Sequence, residues 1–554
     1  MRCAFAGILL LLAAGTSAAA GNTVFLGGAI TTLNDKQPTA TALVIADGHI
    51  VYVGNDKGAR PYVTAASRIV RLQGRMVLPG FHDAHAHPMS AGLRLLRCQL
   101  DGIKTAAKTD AAIRGCDRTA SEDWLFASGW SAKLAPPSLA RLDALVPDRP
   151  AYIADEDGFA VWVNSKTLKA AGIDPENSTL TGLERDPVTH AFTGVVTGDA
   201  LTEVRKFRPK PSEAQFREAF RRWSKMANAY GITSVFDAAA SPPMVDAYHA
   251  ADLAGELKLR VVAAQLIDPA RGPEQVDDMI ARRDRVHGTR LRADAAKIFL
   301  DGEISQHTAA LLQPYADTPG TRGDLLVQPN ALNALVKRLD TEGFLVHMHA
   351  MGDRAVRSGL DAIEQAMAAN GAKDRRHQIA HVELADPADL PRFAALGVSA
   401  NLSPGWFDPN DPEIAPAEAA LGPERARLMY PAARIAAQHG RMVMSSDWPA
   451  TAMNPLENIQ IAVTRQPLDG SKPPKRPEER VDLKTALTAY IRNAAWVARE
   501  DAVDGTIEPG KTADLIVLDR NLFRVPAGSI HKTHVLLTLL GGEPVYRDKR
   551  IPWR

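Results

Sequence analysis

The chain has 554 residues, of which 45% are hydrophobic and 23% charged, with 65 Lys and Arg against 64 Asp and Glu. That apolar fraction can bury a large core and excludes wholesale disorder, and the length corresponds to about three domains or one large barrel with a smaller unit. A net charge of +1 argues against a nucleic-acid partner, which would demand a basic excess.

In chain order, the first segment reads as an export signal. Arg2 supplies positive charge, Ala4 to Ala14 is apolar and contains Leu9-Leu10-Leu11-Leu12, and Ser17-Ala18-Ala19-Ala20 ends in small residues. This order predicts a signal peptide cleaved near Ala20. Its apolar run is shorter than the ~20 residues that span a bilayer. The mature chain is therefore expected to be secreted or periplasmic, with no membrane span. Of three cysteines, Cys3 leaves with the signal, and Cys98 and Cys116 remain. In an oxidising compartment they read either as a disulfide, worth roughly 3 kcal/mol, or as two buried thiols.

Short strand-like runs follow at Val24 to Leu26, Ala42 to Ile45, Ile50 to Val53 and Ile69 to Leu72, punctuated by Asp47-Gly48 and Gly74. The same texture returns at Ala513 to Leu518 and Val535 to Leu540. Neither end has enough strands for its own core, so one sheet domain built from both ends is expected.

Between them, strand-like runs alternate with helical patterns. The strands are expected at Gly231 to Phe236, Ala295 to Leu300, Gly343 to His349, His377 to Val382 and Arg441 to Ser446. Helices are expected over Ser212 to Tyr230, Asn330 to Thr341, Ala355 to Ala369 and Pro387 to Leu396. This alternation predicts an α/β fold with a parallel sheet, and the number of units favours a closed (β/α)8 TIM-type barrel. No glycine-rich phosphate loop follows any strand, which weakens a dinucleotide-binding alternative. Leu468 to Arg480, rich in Pro and basic residues, reads as a solvated loop.

The chemistry concentrates at strand ends. Leu78-Pro79-Gly80-Phe81-His82-Asp83-Ala84-His85-Ala86-His87-Pro88 puts histidines where a strand through Met76-Val77-Leu78 would end, the place where barrel enzymes carry catalytic groups. Residues i and i+2 of a strand point the same way, so His85 and His87 can serve one metal, whereas His82 has the opposite parity. His349, His381 and Asp447 each end a further apolar run. Each alone is more often structural; four histidines and an aspartate at successive strand ends are hard to explain as independent accidents.

These residues resemble the amidohydrolase superfamily, in particular its N-substituted formamide deformylase-like hydrolases. The resemblance covers nearly the whole mature chain. Its anchors are Pro79 to Pro88, Lys297 to Gly302, His349 to Asp353, His381, Ser446-Asp447-Trp448-Pro449 and Gly505 to Leu515. It implies a metal-bearing barrel, a β-sandwich from both chain ends, and an insertion after the first barrel strand. The expected division is signal 1–20, sandwich 21–75, barrel 76–490 with an insertion at about 95–210, and sandwich 491–554. The resemblance makes His85, His87, His349, His381 and Asp447 metal ligands, and Lys297 a carbamate (N6-carboxylysine) bridging two divalent ions, with zinc expected. An ammonium cannot ligate a cation, but burial favours the neutral amine, which can add carbon dioxide. The bland alternative pairs Lys297 with Asp301 or Glu303.

The implied reaction is metal-assisted hydrolysis of an amide, formamide or imide of a small molecule, with Asp447 also carrying a proton. Hydrolysis of an ester, lactone or phosphotriester by the same centre is the second reading, and a non-catalytic periplasmic binding or regulatory protein the third. Two departures bear on substrate. Relatives commonly have His where this chain has Phe159, and often Arg where it has His307. His307, Phe159 and the aromatic Trp406 are the candidate substrate contacts, each weighed against ordinary loop packing. Homo-oligomerisation is left open.

Overall fold

The computed structural model describes residues 21–119, 123–155 and 160–553; the expected signal segment and Phe159 lie outside the described residues. Eight parallel strands form the central sheet: β1 (Phe81–Ala86), β2 (Ile232–Ala240), β3 (Arg260–Leu266), β4 (Leu291–Phe299), β5 (Leu345–Ala350), β6 (Gln378–His381), β7 (Ser399–Leu402) and β8 (Arg441–Met444). Each pairs in parallel with the next. The ring closes between its ends through two backbone bonds: Asp447 N–H donates to the His85 carbonyl and His87 N–H to the Trp448 carbonyl, each at 2.8 Å. These closing bonds bring the last-strand aspartate against the histidines of the first strand.

Helices cover the outside, as buried parallel strands require. Glu213–Ala229 begins at a reciprocal capping box between Ser212 and Gln215 and buries Phe216, Phe220 and Trp223 on one stripe. Pro329–Thr341 and Asp353–Asn370 occupy their expected places. The helix expected from Pro387 begins only at Leu390. Asp386 caps the preceding turn instead, its side chain accepting from Ala388 N–H at 2.8 Å. The 468–480 loop is largely exposed, but Glu479 within it is buried and accepts from Ala433 N–H at 2.8 Å.

Both chain ends meet in two sheets. One has the order His49–Gly54, Ala42–Ala46, Thr23–Leu26, Arg68–Arg71. The other orders Glu543–Arg547, Val535–Leu540, Leu515–Leu518, Met76–Pro79, Ala29–Thr31 and Thr39–Ala40. Phe25, Leu43 and Ile45 of the first share a core with Val77, Leu515 and Leu537 of the second.

This corrects one expectation. Met76–Pro79 does not lead straight into the histidines; it pairs with Leu515–Leu518 and Ala29–Ile30 in the terminal sheet, and the barrel strand starts afresh at Phe81. The break falls at Gly80, where a Cβ would stand 2.0 Å from the Thr233 hydroxyl. Only glycine lets the chain pass so close to β2 while changing sheets.

Between β1 and β2 lies a six-stranded sheet running from Leu183–Arg185 at one edge to Cys98–Gln99 at the other. Cys98 and Cys116 form a disulfide with Cα atoms 5.8 Å apart, tying that edge to the helix Ala106–Thr119.

Candidate metal centre

The β1 residues with the parity of His85 converge at the C-terminal mouth of the barrel. His85 Nε2 and His87 Nε2 each lie 3.4 Å from Asp447 Oδ1. His381 Nδ1 is 3.9 Å from Asp447 Oδ2. The His381 ring lies 4.9 Å from that of His85 and 4.5 Å from that of His349, between centroids. Lys297 sits on β4 beside His347 in register, and Phe299 beside His349. Its Nζ is 4.6 Å from the centre of the Phe299 ring. The structure thus brings side chains of β1, β4, β5, β6 and the end of β8 to one mouth, where the ligand atoms of His85, His87 and Asp447 all lie within 4.8 Å of one another.

Backbone geometry aims two of them. His381 and Asp447 have φ of 74° and 56°, the left-handed region that non-glycine residues rarely occupy. Such conformations cost about 1–3 kcal/mol each and concentrate at functional sites.

Lys297 is fully buried and its Nζ has no hydrogen-bond partner. Asp301 is not available to it: its carboxylate accepts from Ala310, Gly352 and Met351 N–H at 2.9, 2.9 and 3.0 Å. Burial pulls the Lys297 amine down to about 7, against the pull of Asp447 in the other direction. Burial and then the Lys297 charge push His349 down to about 3. His85, His347 and His381 are driven well below the ordinary imidazole value, burial again being the largest cause. The imidazoles are therefore neutral, the form that offers a lone pair.

A metal fits these residues on two counts. The buried atoms His85 Nε2, His381 Nδ1 and Lys297 Nζ all lack partners, and leaving such groups unsatisfied costs about 1–3 kcal/mol each. The 3.4 Å separations between Asp447 and the two β1 histidines match donors around a tetrahedral cation with bonds of about 2.0–2.1 Å.

Three supporting residues were not singled out from sequence. Asp83 accepts from Ser446 N–H at 2.9 Å and from Ser446 Oγ at 2.5 Å, fixing the turn that presents Asp447. His347 Nε2 lies 2.8 Å from His85 Nδ1 and orients that ring. Asn401 donates to the Ala84 carbonyl at 3.0 Å, bracing β1 from β7. Parity was the available signal for the first two: Asp83 precedes His85 by two residues, and His347 precedes His349 by two.

The other expected contacts divide. Trp406 Nε1–H donates to Asp447 Oδ2 at 3.1 Å, so this side chain belongs to the cluster. His307 does not join it; its Nε2 lies 2.8 Å from Asp317 Oδ1 and its ring rests 4.7 Å from that of Tyr315. His307 itself has φ of 59°, and its side chain pairs at the surface. His82 faces away from the mouth, with Nε2 2.8 Å from Asp504 Oδ2.

Known proteins are similar to this chain. The chain is 28% identical over 544 residues to protein LONG AFTER FAR-RED 3 of Arabidopsis thaliana, covering 94% of this chain and 90% of that one. It is 26% identical over 538 residues to N-substituted formamide deformylase of Arthrobacter pascens, covering 93% and 96%. A solved metal-dependent hydrolase from Pyrococcus horikoshii superposes with a TM-score of 0.77 at 25% identity, over 92% of this chain and 99% of that one. The amidohydrolase family model matches residues 68–546. With a parallel barrel, neutral histidines and a partnerless buried lysine at its mouth, the chain belongs to the amidohydrolase family of metal-dependent hydrolases.

Proposed function

We propose that this protein is an exported enzyme that hydrolyses a non-peptide C–N bond in an amide, formamide or imide of a small molecule. The observation that carries this reading is Lys297, buried at the barrel mouth with a partnerless Nζ. The similarity to the formamide deformylase supports the bond class. The signal-like first twenty residues and the Cys98–Cys116 disulfide support export to an oxidising compartment. Among the described residues no helix is long and apolar enough to cross a membrane.

In this reading His85, His87, His349, His381, Asp447 and Lys297 hold a binuclear centre. When bound, two divalent ions, zinc by the histidine-rich donor set, supply a Lewis acid and lower the pKa of water to about 7. Lys297 contributes as a carbamate: its neutral nitrogen bonds the carbon of CO2 and releases a proton, giving an anion with two donor oxygens. Its burial keeps the amine neutral enough for that addition. Asp447 takes a proton from the attacking water and delivers it to the departing nitrogen. Trp406 holds one Asp447 oxygen at 3.1 Å and so fixes the direction of that transfer. Asp83, through Ser446, fixes the backbone behind it.

The test is metal analysis of protein lacking residues 1–20, combined with a panel of amides, formamides, imides, lactones and phosphotriesters. Two bound metals per chain and release of amine are expected. Turnover confined to esters, lactones or phosphotriesters, or a protein that takes up no metal, would overturn the proposal.

A further inference from the structure

Beside the metal centre a narrow cleft runs between His381 and the loops after β4, β6 and β7. Its lining holds three glutamates, Glu303, Glu383 and Glu413, with no lysine or arginine. Trp406, Phe407 and Tyr430 form its aromatic side. Glu383 is fixed by the Tyr430 hydroxyl at 3.0 Å, and burial pushes its carboxyl up to about 8, so the negative charge of the cleft is that of Glu303 and Glu413. Trp406 is fixed by its bond to Asp447, which leaves its ring as a wall. Arg465 does not line the cleft; it stacks on Phe407 at 3.9 Å and donates to the backbone carbonyls of Tyr430 and Glu479 at 3.1 and 2.8 Å. Ser305 also lines the cleft, and its buried Oγ has no hydrogen-bond partner.

We infer that this cleft is a cation subsite, and that the substrate carries an ammonium group several atoms from the bond that is cleaved. Carboxylates with aromatic faces and no competing side-chain cation attract an ammonium both by charge and through the ring quadrupole. A neutral or anionic substituent would lose its hydration there and gain no counter-charge. The narrowness of the cleft suits a small head group. Ser305 Oγ can accept one of its N–H bonds. The assignment rests on the reading above, in which the barrel mouth receives the substrate; it adds that substrate's charge.

The experiment separates the two. Isothermal titration of the metal-loaded protein with n-butylammonium and with n-butanol reads the subsite without turnover. The ammonium is expected to bind at least roughly tenfold more tightly. That advantage should shrink in the Glu303→Gln/Glu413→Gln double variant and vanish in Glu413→Lys, a change at the half-exposed start of a helix. Equal binding of the two probes, or an advantage that survives both variants, overturns the subsite. In parallel, kcat/KM is compared for two formamides differing only in a terminal ammonium or methyl group, with the charged one expected to be favoured by a similar factor. If neither formamide is hydrolysed while the butylammonium preference persists, the assigned reaction fails and the subsite stands.

Discussion

One strand carries two kinds of buried histidine. At the mouth, His85 lies among His87, His347, His381 and Lys297, with one nearby carboxylate, Asp447. Three residues earlier and facing the other way, His82 lies between Asp504 at 2.8 Å and Glu500 at 3.4 Å, with Arg260 bound to Asp514 at 2.8 Å close by. Burial pulls both imidazoles toward neutrality. At His82 the charges of Asp504, Glu500 and Asp514 outweigh it and raise the pKa; at His85 nothing does, and the pKa falls far below the usual value. In the lower cluster the neighbouring carboxylates favour the charged imidazole, and the three side chains join β1 to the segment after the last barrel helix. The upper one presents neutral imidazoles and a single carboxylate, donors suited to a metal ion.

The largest break in this contrast should come from Lys297→Ala. It is expected to lose at least one metal per chain and most turnover, read by elemental analysis and kinetics; full retention of both would refute the bridge. Asp447→Asn should lower kcat by ~10²–10⁴-fold while leaving thermal stability nearly intact, because it removes a proton carrier. Unchanged turnover across pH would exclude that role. His347→Phe removes the partner of His85 Nδ1 and should weaken metal affinity by ~10–100-fold, as loss of an orienting partner does; a competition titration with a chelator measures it.

At the lower end, His82→Gln should spare metal content and cost about 3 kcal/mol of stability near pH 6, because it leaves buried carboxylates without their counter-charge. The sign follows from the raised folded pKa. The triad's contribution is complete below the unfolded value of about 6.5 and fades as pH rises through the folded value. Denaturation curves should therefore show the gap between wild type and variant closing as pH increases; a gap that widens would mean His82 is neutral in the fold. The smallest effect is expected from Trp406→Phe, which keeps an aromatic wall but removes the bond to Asp447. Loss of one such bond to a charged group, about 1.5–3 kcal/mol at most, should appear in kcat more than in KM.

Much of this was legible in the linear chain because periodicity and parity are local. The β–α alternation gave a barrel, and the two-residue spacing of His85 and His87 gave a shared direction on one strand. The strand-ending positions of His349, His381 and Asp447 placed them at one rim once the strands were parallel. The resemblance at Lys297 named a role that composition could not. The break at Gly80 was not legible, since it depends on how closely Thr233 of another strand approaches. The helix start at Leu390 was misplaced because Asp386 could cap either a helix or a turn, and the local sequence suits both.

The sequence by itself determined which side chains were available, their parity on each strand, and a charge total too balanced for a nucleic-acid partner. Only the tertiary structure decided their company. It gave His82 two carboxylates and His85 one, tied His307 to Asp317 at the surface, and turned Trp406 onto Asp447. The reason is physical: a side chain's charge state and hydrogen bonds are set by neighbours within a few ångströms, and for these residues those neighbours lie up to hundreds of positions away along the chain.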